Sequence, residues 1–147
     1  MKNIVVIGTG YVGLVSGAGM SDFGNNVCCV DVDKDKIDSL QNGIIPIYEP
    51  NLKELVDRNV KSKRLKFSIN IEDAIKSAEV IFIAVGTPED KNGNADLTYV
   101  LQVAELIGKS LNSYKVICTK STVPIGTGKR IIDFINKYNT NNIDYDY

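Results

Sequence analysis

The sequence predicts an α/β fold, a doubly wound parallel sheet of about six strands with helices on both faces. Three observations carry that expectation. Short apolar runs of strand type alternate with stretches of helical period along the whole chain. The first, second and fourth strand runs are apolar without alternation, as suits strands covered on both faces. The first of them passes directly into Gly8-x-Gly10-x-x-Gly13, and the second ends in Asp31. Strand, glycine turn, helix, strand and acid, in that order, are the signature of a Rossmann-type dinucleotide-binding unit.

The elements follow in order. Asn3 to Ile7 is the first strand. A helix from Tyr11 to Phe23 is rich in Gly, Ser and Ala, poor by propensity but suited to lying close to a sheet and a ligand. Gly24-Asn25 ends it. Asn26 to Asp31 is the second strand. Asp33 caps a helix through Gln41, with Ile37 and Leu40 inward. Two prolines keep Ile44 to Pro50 out of regular helix, and Pro50 suits the first turn of the next one, whose apolar face is Leu52, Leu55, Val56 and Val60. Lys63 to Ser68 is a third strand, and Asn70 or Ile71 opens a short helix through Lys76. Ala78 to Val85 is a buried strand that stops at Gly86-Thr87-Pro88. A polar loop turns at Lys91-Asn92-Gly93. Asp96 or Thr98 caps a helix to Leu111, Lys115 to Thr119 is the fifth strand, and a helix covers Thr127 to Tyr138. Ile143 to Tyr147 opens a sixth strand, and a sequence that stops inside a strand is expected to be part of something longer.

The glycine motif has a physical reason at each position. Gly8 allows the turn out of the strand, Gly10 lets the backbone approach a pyrophosphate, and Gly13 lets the helix pack on the strand. The helix start offers N–H groups and positive dipole to the phosphates. Asp31 can accept from the ribose hydroxyls, and its carboxylate favours NAD over NADP by repelling a 2′-phosphate. Lys34 and Lys36 are open to two readings, as partners of a phosphate or as solvated helix lysines. In an open α/β sheet, ligands bind beyond the C-terminal strand ends. Gly86-Thr87-Pro88 and Lys120-Ser121-Thr122 fall on that same rim. Each stretch alone is an ordinary turn or cap. Together on the rim of the glycine loop, Thr87, Ser121 and Thr122 become candidate contacts to a nicotinamide ribose, a substrate oxygen or an ordered water. Lys120 points either into the site or into solvent.

Composition narrows the rest. At 147 residues the chain suits one domain, residues 1–147. A net charge of −1 gives no basic footprint for nucleic acid or an anionic membrane surface. No apolar stretch approaches the roughly 20 residues of a membrane span, and the N-terminus enters a strand at once, so a cytoplasmic protein is expected. Cys28, Cys29 and Cys118 lie in strand runs and read as small core residues, with no disulfide framework and no metal-ligand spacing. The chain has no histidine, so its chemistry rests on Lys, Glu, Asp, Thr or Cys, or on residues elsewhere.

The chain resembles the UDP-glucose 6-dehydrogenase family of nucleotide-sugar dehydrogenases. The stretches that carry the resemblance run across the whole sequence. They are Gly8 to Leu14, Val30 to Asp33, Pro46-Ile47-Tyr48-Glu49-Pro50-Asn51-Leu52, Val85 to Pro88, Asn94 to Leu97 and Lys120-Ser121-Thr122-Val123-Pro124-Ile125-Gly126-Thr127. The glycine motif is generic, whereas the Pro-Ile-Tyr-Glu-Pro and Lys-Ser-Thr-Val-Pro stretches are far more specific. The resemblance implies oxidation of the C6 hydroxyl of UDP-glucose to a carboxylate with two NAD, through a thiohemiacetal and a thioester on a cysteine. It implies cofactor contacts from Val12, Asp31 and Lys36, with Thr122 near cofactor and substrate and assisting catalysis by helping to hold a water or oxyanion. With the glycine loop and the rim residues, the expected cofactor-binding set is Gly8, Gly10, Tyr11, Val12, Gly13, Asp31, Lys36, Thr87, Ser121 and Thr122.

Two positions depart from the family pattern. Asn51 stands where glycine is usual, and Glu89 stands where a hydroxyl residue is common, so this acid must point away from a bound cofactor. None of Cys28, Cys29 or Cys118 matches the nucleophile. That cysteine, the catalytic lysine and asparagine, the glutamates and the UDP-binding region all lie, in the family, beyond the last residue here. The chain therefore reads as the N-terminal NAD-binding domain of such an enzyme, inactive alone, whose parent is expected to be a homodimer acting on UDP-glucose in polysaccharide biosynthesis. The alternatives are a sister dehydrogenase for GDP-mannose or UDP-N-acetylmannosamine, against which Asn94 to Leu97 leans toward UDP-glucose, and a non-catalytic NAD-binding module.

Overall fold

Apolar strand runs without alternation should be buried on both faces, and in the computed structural model, which describes residues 1–147, Ile4–Ile7 and Val27–Val30 are, while the edge run Leu65–Ser68 exposes Lys66. One sheet holds β1 (Asn3–Ile7), β2 (Asn26–Val30), β3 (Leu65–Ser68), β4 (Val80–Ile83), β5 (Lys115–Thr119) and β6 (Tyr145–Asp146). The strands are all parallel, in the order β3-β2-β1-β4-β5-β6. The helices are α1 (Tyr11–Asp22), α2 (Lys34–Gln41), α3 (Leu52–Lys61), α4 (Ile71–Ser77), α5 (Thr98–Ser110) and α6 (Thr127–Tyr138). The chain leaves β1 toward β2 and β3, then returns to β4 on the other side, so the order reverses between β1 and β4. A doubly wound sheet opens its ligand crevice at such a reversal.

Strand residues point alternately to opposite faces. Ile4, Val6, Val27 and Cys29 pack with Leu14, Ala18, Ile37, Leu40, Leu52 and Val56 under α1, α2 and α3. Val5, Ile7, Cys28 and Val30 pack with residues of α4, α5 and α6 on the other face. The neighbours Cys28 and Cys29 thus serve different cores, and burial pushes both thiols up. Cys118 is only half-buried, less of a core residue than its strand position predicts.

Several boundaries differ from expectation. The fourth strand covers Val80–Ile83 and not Ala78 to Val85. Beyond it, the Gly8 turn occupies the space beside Ala84 and Val85, so no strand ladder continues there. Pro50 lies outside α3. Asn51 is the helix's N-cap residue, in the left-handed region with φ 65°. The third strand starts at Leu65 because Lys63 also has positive φ, at 60°. The sixth strand has two paired residues, Tyr145 and Asp146, opposite Lys115 and Val116.

Polar ties hold the layers. Arg58 grips Asp22 through Nε and Nη2 at 2.8 and 2.7 Å, and Asn59 adds a third donor at 3.0 Å. Led by the Arg58 bond, they lower the Asp22 carboxyl to about 2 and join α3 to the end of α1. Lys115 is wholly buried at the start of β5. Its ammonium donates to the carbonyls of Ala78 (2.6 Å) and Lys76 (3.2 Å), a cation placed at the carboxyl end of α4. Burial pulls its pKa down.

Helix α1 lies close to the sheet because Gly17 has no side chain: a Cβ there would stand 2.3 Å from Cys29 Sγ. Gly17→Ala is therefore expected to destabilise the fold by about 1–3 kcal/mol despite the better helix propensity of alanine. In a Cys29→Ala background the same change should cost far less. Urea denaturation of the four proteins in that cycle measures the coupling.

Candidate functional site

The rim at the C-terminal strand ends is built on a turn that only glycine accommodates. Gly8 has φ +106°, and a Cβ on it would lie 2.5 Å from the Ala84 carbonyl oxygen at the end of β4. Gly13 faces the same turn: its Cβ would stand 1.9 Å from the Gly8 oxygen. The expected packing role of Gly13 is thus more specific, since the first turn of α1 closes on the backbone of the glycine loop itself. The loop is anchored on both sides, by Gly8 N–H to the Val30 oxygen and by Ala84 N–H to the Ile7 oxygen, each at 2.8 Å.

This geometry leaves the start of α1 open. No side chain caps it, and no acid stands in its first turn. A Cβ at Gly10 would meet nothing within 4 Å, so the backbone faces free space there. Tyr11 and Val12 are 53% and 44% exposed on the same turn, too open for core residues. Unpaired N–H groups, positive dipole and an unobstructed backbone together suit a pyrophosphate.

Asp31 stands just past β2, its side chain only 12% exposed. Its Oδ2 accepts from the Thr9 N–H and the Thr9 hydroxyl, both at 2.8 Å, and from Lys36 Nζ at 3.2 Å. Its Oδ1 accepts from Asp33 N–H at 3.1 Å. Burial acts to raise this carboxyl, but the two Thr9 bonds, the Asp33 bond and the Lys36 charge outweigh it, and the pKa is lowered. The two lysines divide accordingly. Lys34 pairs with Asp38 at 2.5 Å along the exposed face of α2, whereas Lys36 turns to Asp31 and lies 4.0 Å from Asp33.

Across the crevice, the ends of β4 and β5 are stitched together. Lys120 N–H and Ser121 N–H both donate to the Ile83 oxygen, at 2.7 and 3.0 Å. The Ser121 hydroxyl donates to the Val85 oxygen at 2.7 Å, and the Thr87 hydroxyl to the Thr122 oxygen at 2.7 Å. Ser121 and Thr87 thus use their hydroxyls to shape the rim, while the exposed Thr122 side chain is left outside that stitching. Lys120 is exposed as well. Glu89 pairs its backbone with Ala95, and its carboxylate lies beside Gly93 in its own loop. Asp96 takes the N–H and hydroxyl of Thr98 at 2.9 and 2.5 Å, so it shapes the start of α5.

The rim brings together the glycine loop, Asp31 and Lys36 on one side and Thr87, Ser121 and Thr122 on the other. Sequence reasoning missed Thr9. It is fully buried and supplies two of the four donors on Asp31. A hydroxyl residue between the first two glycines was the available signal.

Residues 2–147 match the UDP-glucose/GDP-mannose dehydrogenase family, NAD binding domain. The chain is 54% identical over 146 residues to the UDP-glucose 6-dehydrogenase TuaD of Bacillus subtilis, an alignment covering 99% of this chain and 32% of that protein. A solved UDP-glucose dehydrogenase from the hyperthermophilic archaeon Pyrobaculum islandicum superposes with a TM-score of 0.94 at 34% identity, over 99% of this chain and 34% of that one. A GDP-mannose dehydrogenase from Pseudomonas aeruginosa, solved as a ternary complex, gives 0.89 at 35% identity, over 93% of this chain and 32% of that one. The chain therefore spans about a third of the length of the relatives it matches.

The depressed Asp31 carboxyl gives a pH signature. Its folded pKa lies below its unfolded one, so its contribution to stability is complete above the unfolded value, about 3.9, and is lost as pH falls through the folded value. Asp31→Asn should be less stable than wild type at neutral pH, and the gap should close in acid. Urea denaturation at stepped pH reads both.

Proposed function

The chain belongs to the UDP-glucose/GDP-mannose dehydrogenase family as its NAD-binding domain, and from that membership we propose that it is the cofactor domain of a UDP-glucose 6-dehydrogenase. The observation that carries the reading is the uncapped start of α1 above the Gly8 turn, with Asp31 locked at its edge. The naming of the 54%-identical relative supports the choice of UDP-glucose over the sister sugars.

In this reading the N–H groups at the start of α1 hold the pyrophosphate, with Gly10 giving it close approach. Asp31 takes the adenosine ribose, and Tyr11, Val12 and Lys36 border that ribose and the phosphates. Thr87 and Ser121 hold the β4 and β5 ends in register, so that their backbone borders the nicotinamide side. Thr122 carries a hydroxyl to the reacting end, where it steadies a water or a developing oxyanion. NAD, when bound, supplies a hydride acceptor. Proton transfer and covalent capture of the aldehyde-level carbon fall to the remaining two-thirds of the enzyme, the central helical and UDP-binding regions. UDP-glucose and NAD are charged molecules that do not cross a bilayer unaided. We accordingly place the enzyme in the cytoplasm as a homodimer, with UDP-glucuronate drawn into polysaccharide biosynthesis.

Isothermal titration of this chain with NAD should show one saturable site, weakened by at least about ten-fold in Asp31→Ala, the scale of a lost charge-assisted hydrogen bond. The full-length enzyme should reduce two NAD per UDP-glucose. Turnover of GDP-mannose in place of UDP-glucose would move it to the sister activity, and absence of NAD binding by the folded chain would remove the cofactor reading. Thr122→Ala in the full-length enzyme should lower kcat by about 10–100-fold with the NAD affinity nearly unchanged, as for loss of one donor to developing charge.

A further inference from the structure

We propose that Thr9 is a positioning residue that sets the preference of this domain for NAD over NADP, by immobilising Asp31. The inference rests on the NAD-binding reading given above. Asp31 could in principle adopt several rotamers at the end of β2, and only some of them confront a ribose. The Thr9 N–H and hydroxyl take the same oxygen, Oδ2, each at 2.8 Å, from a residue with no exposed surface. Two short bonds from one buried residue fix both the position and the rotation of the carboxylate. A carboxylate offers about four acceptor sites, two on each oxygen. Lys36 Nζ adds a third, longer contact to Oδ2 at 3.2 Å, so that oxygen is fully used. Oδ1 has Asp33 N–H alone, at 3.1 Å, and keeps capacity for one further donor. The ribose hydroxyl therefore binds at Oδ1, and the carboxylate cannot turn aside when a 2′-phosphate takes the place of that hydroxyl.

The charges facing this group come from the start of α2. Lys36 Nζ lies 3.2 Å from Asp31 Oδ2 and 4.0 Å from Asp33 Oδ2, and the glycine loop contributes no ionisable side chain. With Thr9 holding Asp31, Lys36 is committed to that carboxylate. Without the hydroxyl, Asp31 can rotate outward and Lys36 is released to meet a 2′-phosphate. Thr9 thus controls discrimination through two groups that it positions, without itself touching the cofactor.

The test compares wild type, Thr9→Val and Thr9→Ser by titration with NAD and with NADP. Thr9→Val keeps the shape and the backbone N–H and removes the hydroxyl, while Thr9→Ser keeps the hydroxyl. Thr9→Val should weaken NAD by about ten-fold, the value of one hydrogen bond to a charged group, and leave NADP unchanged or tighter. The NAD-to-NADP preference should fall accordingly and return in Thr9→Ser. The Asp31 carboxyl, followed by carbon NMR, should titrate higher in Thr9→Val and recover in Thr9→Ser. Equal weakening of both cofactors would show a packing role and overturn the proposal, as would a preference unchanged in Thr9→Val or not restored in Thr9→Ser. Wild type that binds neither cofactor would overturn the NAD reading and this inference together. Wild type that binds NAD while Thr9→Val discriminates equally well would overturn this inference alone.

Discussion

The contact between the Gly8 carbonyl and the first turn of α1 sets the geometry on which the rest of the site depends. A side chain on Gly13 would overlap that oxygen, and one on Gly8 would overlap the Ala84 oxygen. Two glycines therefore let three backbone segments meet where the strand order reverses. The helix axis is then aimed at the crevice, and its open N–H groups become the natural seat of a phosphate. The same turn sends Thr9 sideways into the protein, toward the end of β2. Asp31 is thereby held by a loop residue 22 positions away.

Much of this architecture was legible because its causes are local. The strands Asn3–Ile7, Asn26–Val30 and Lys115–Thr119 read as apolar runs, and Asp33 and Asn70 cap α2 and α4 through bonds to residues three positions on. What could not be read are features whose cause lies far along the chain. The Thr87 hydroxyl finds a carbonyl 35 residues away, and the Ser121 hydroxyl one 36 residues away. Alone they read as turn or cap residues, and only together on the rim as candidate ligand contacts. In the fold they tie β4 to β5. Lys115 is the sharpest case. Lysine is almost never fully buried unless paired, yet the end of α4 offers Lys115 two carbonyls, and its burial goes with that supply of acceptors. The early end of β4 has the same character, because the space that stops it is filled by the Gly8 turn.

The two departures from the family pattern also become physical. Asn51 occupies a left-handed position at φ 65°, which explains why glycine is usual there. Asparagine is among the side chains that tolerate this region best, so the exchange preserves the turn into α3. Glu89 would be out of place beside a pyrophosphate. Its backbone bridge to Ala95 holds it in the loop that Gly93 turns, and its carboxylate stays with that loop.

The distribution of hydroxyls around the rim argues for a division of labour. Oxidising an alcohol requires a hydride acceptor and a base for the hydroxyl proton. Of the three rim hydroxyls, those of Thr87 and Ser121 are spent on carbonyls, and that of Thr122 is a donor rather than a base at neutral pH. Asp31 is committed to Thr9 and Lys36 at the adenosine edge, with its pKa lowered and its basicity reduced. There is no histidine to take the proton. The rim is thus well furnished to bind and orient a dinucleotide, and leaves the exposed Lys120 as its uncommitted amine. This distribution is that of a domain that holds and orients its cofactor.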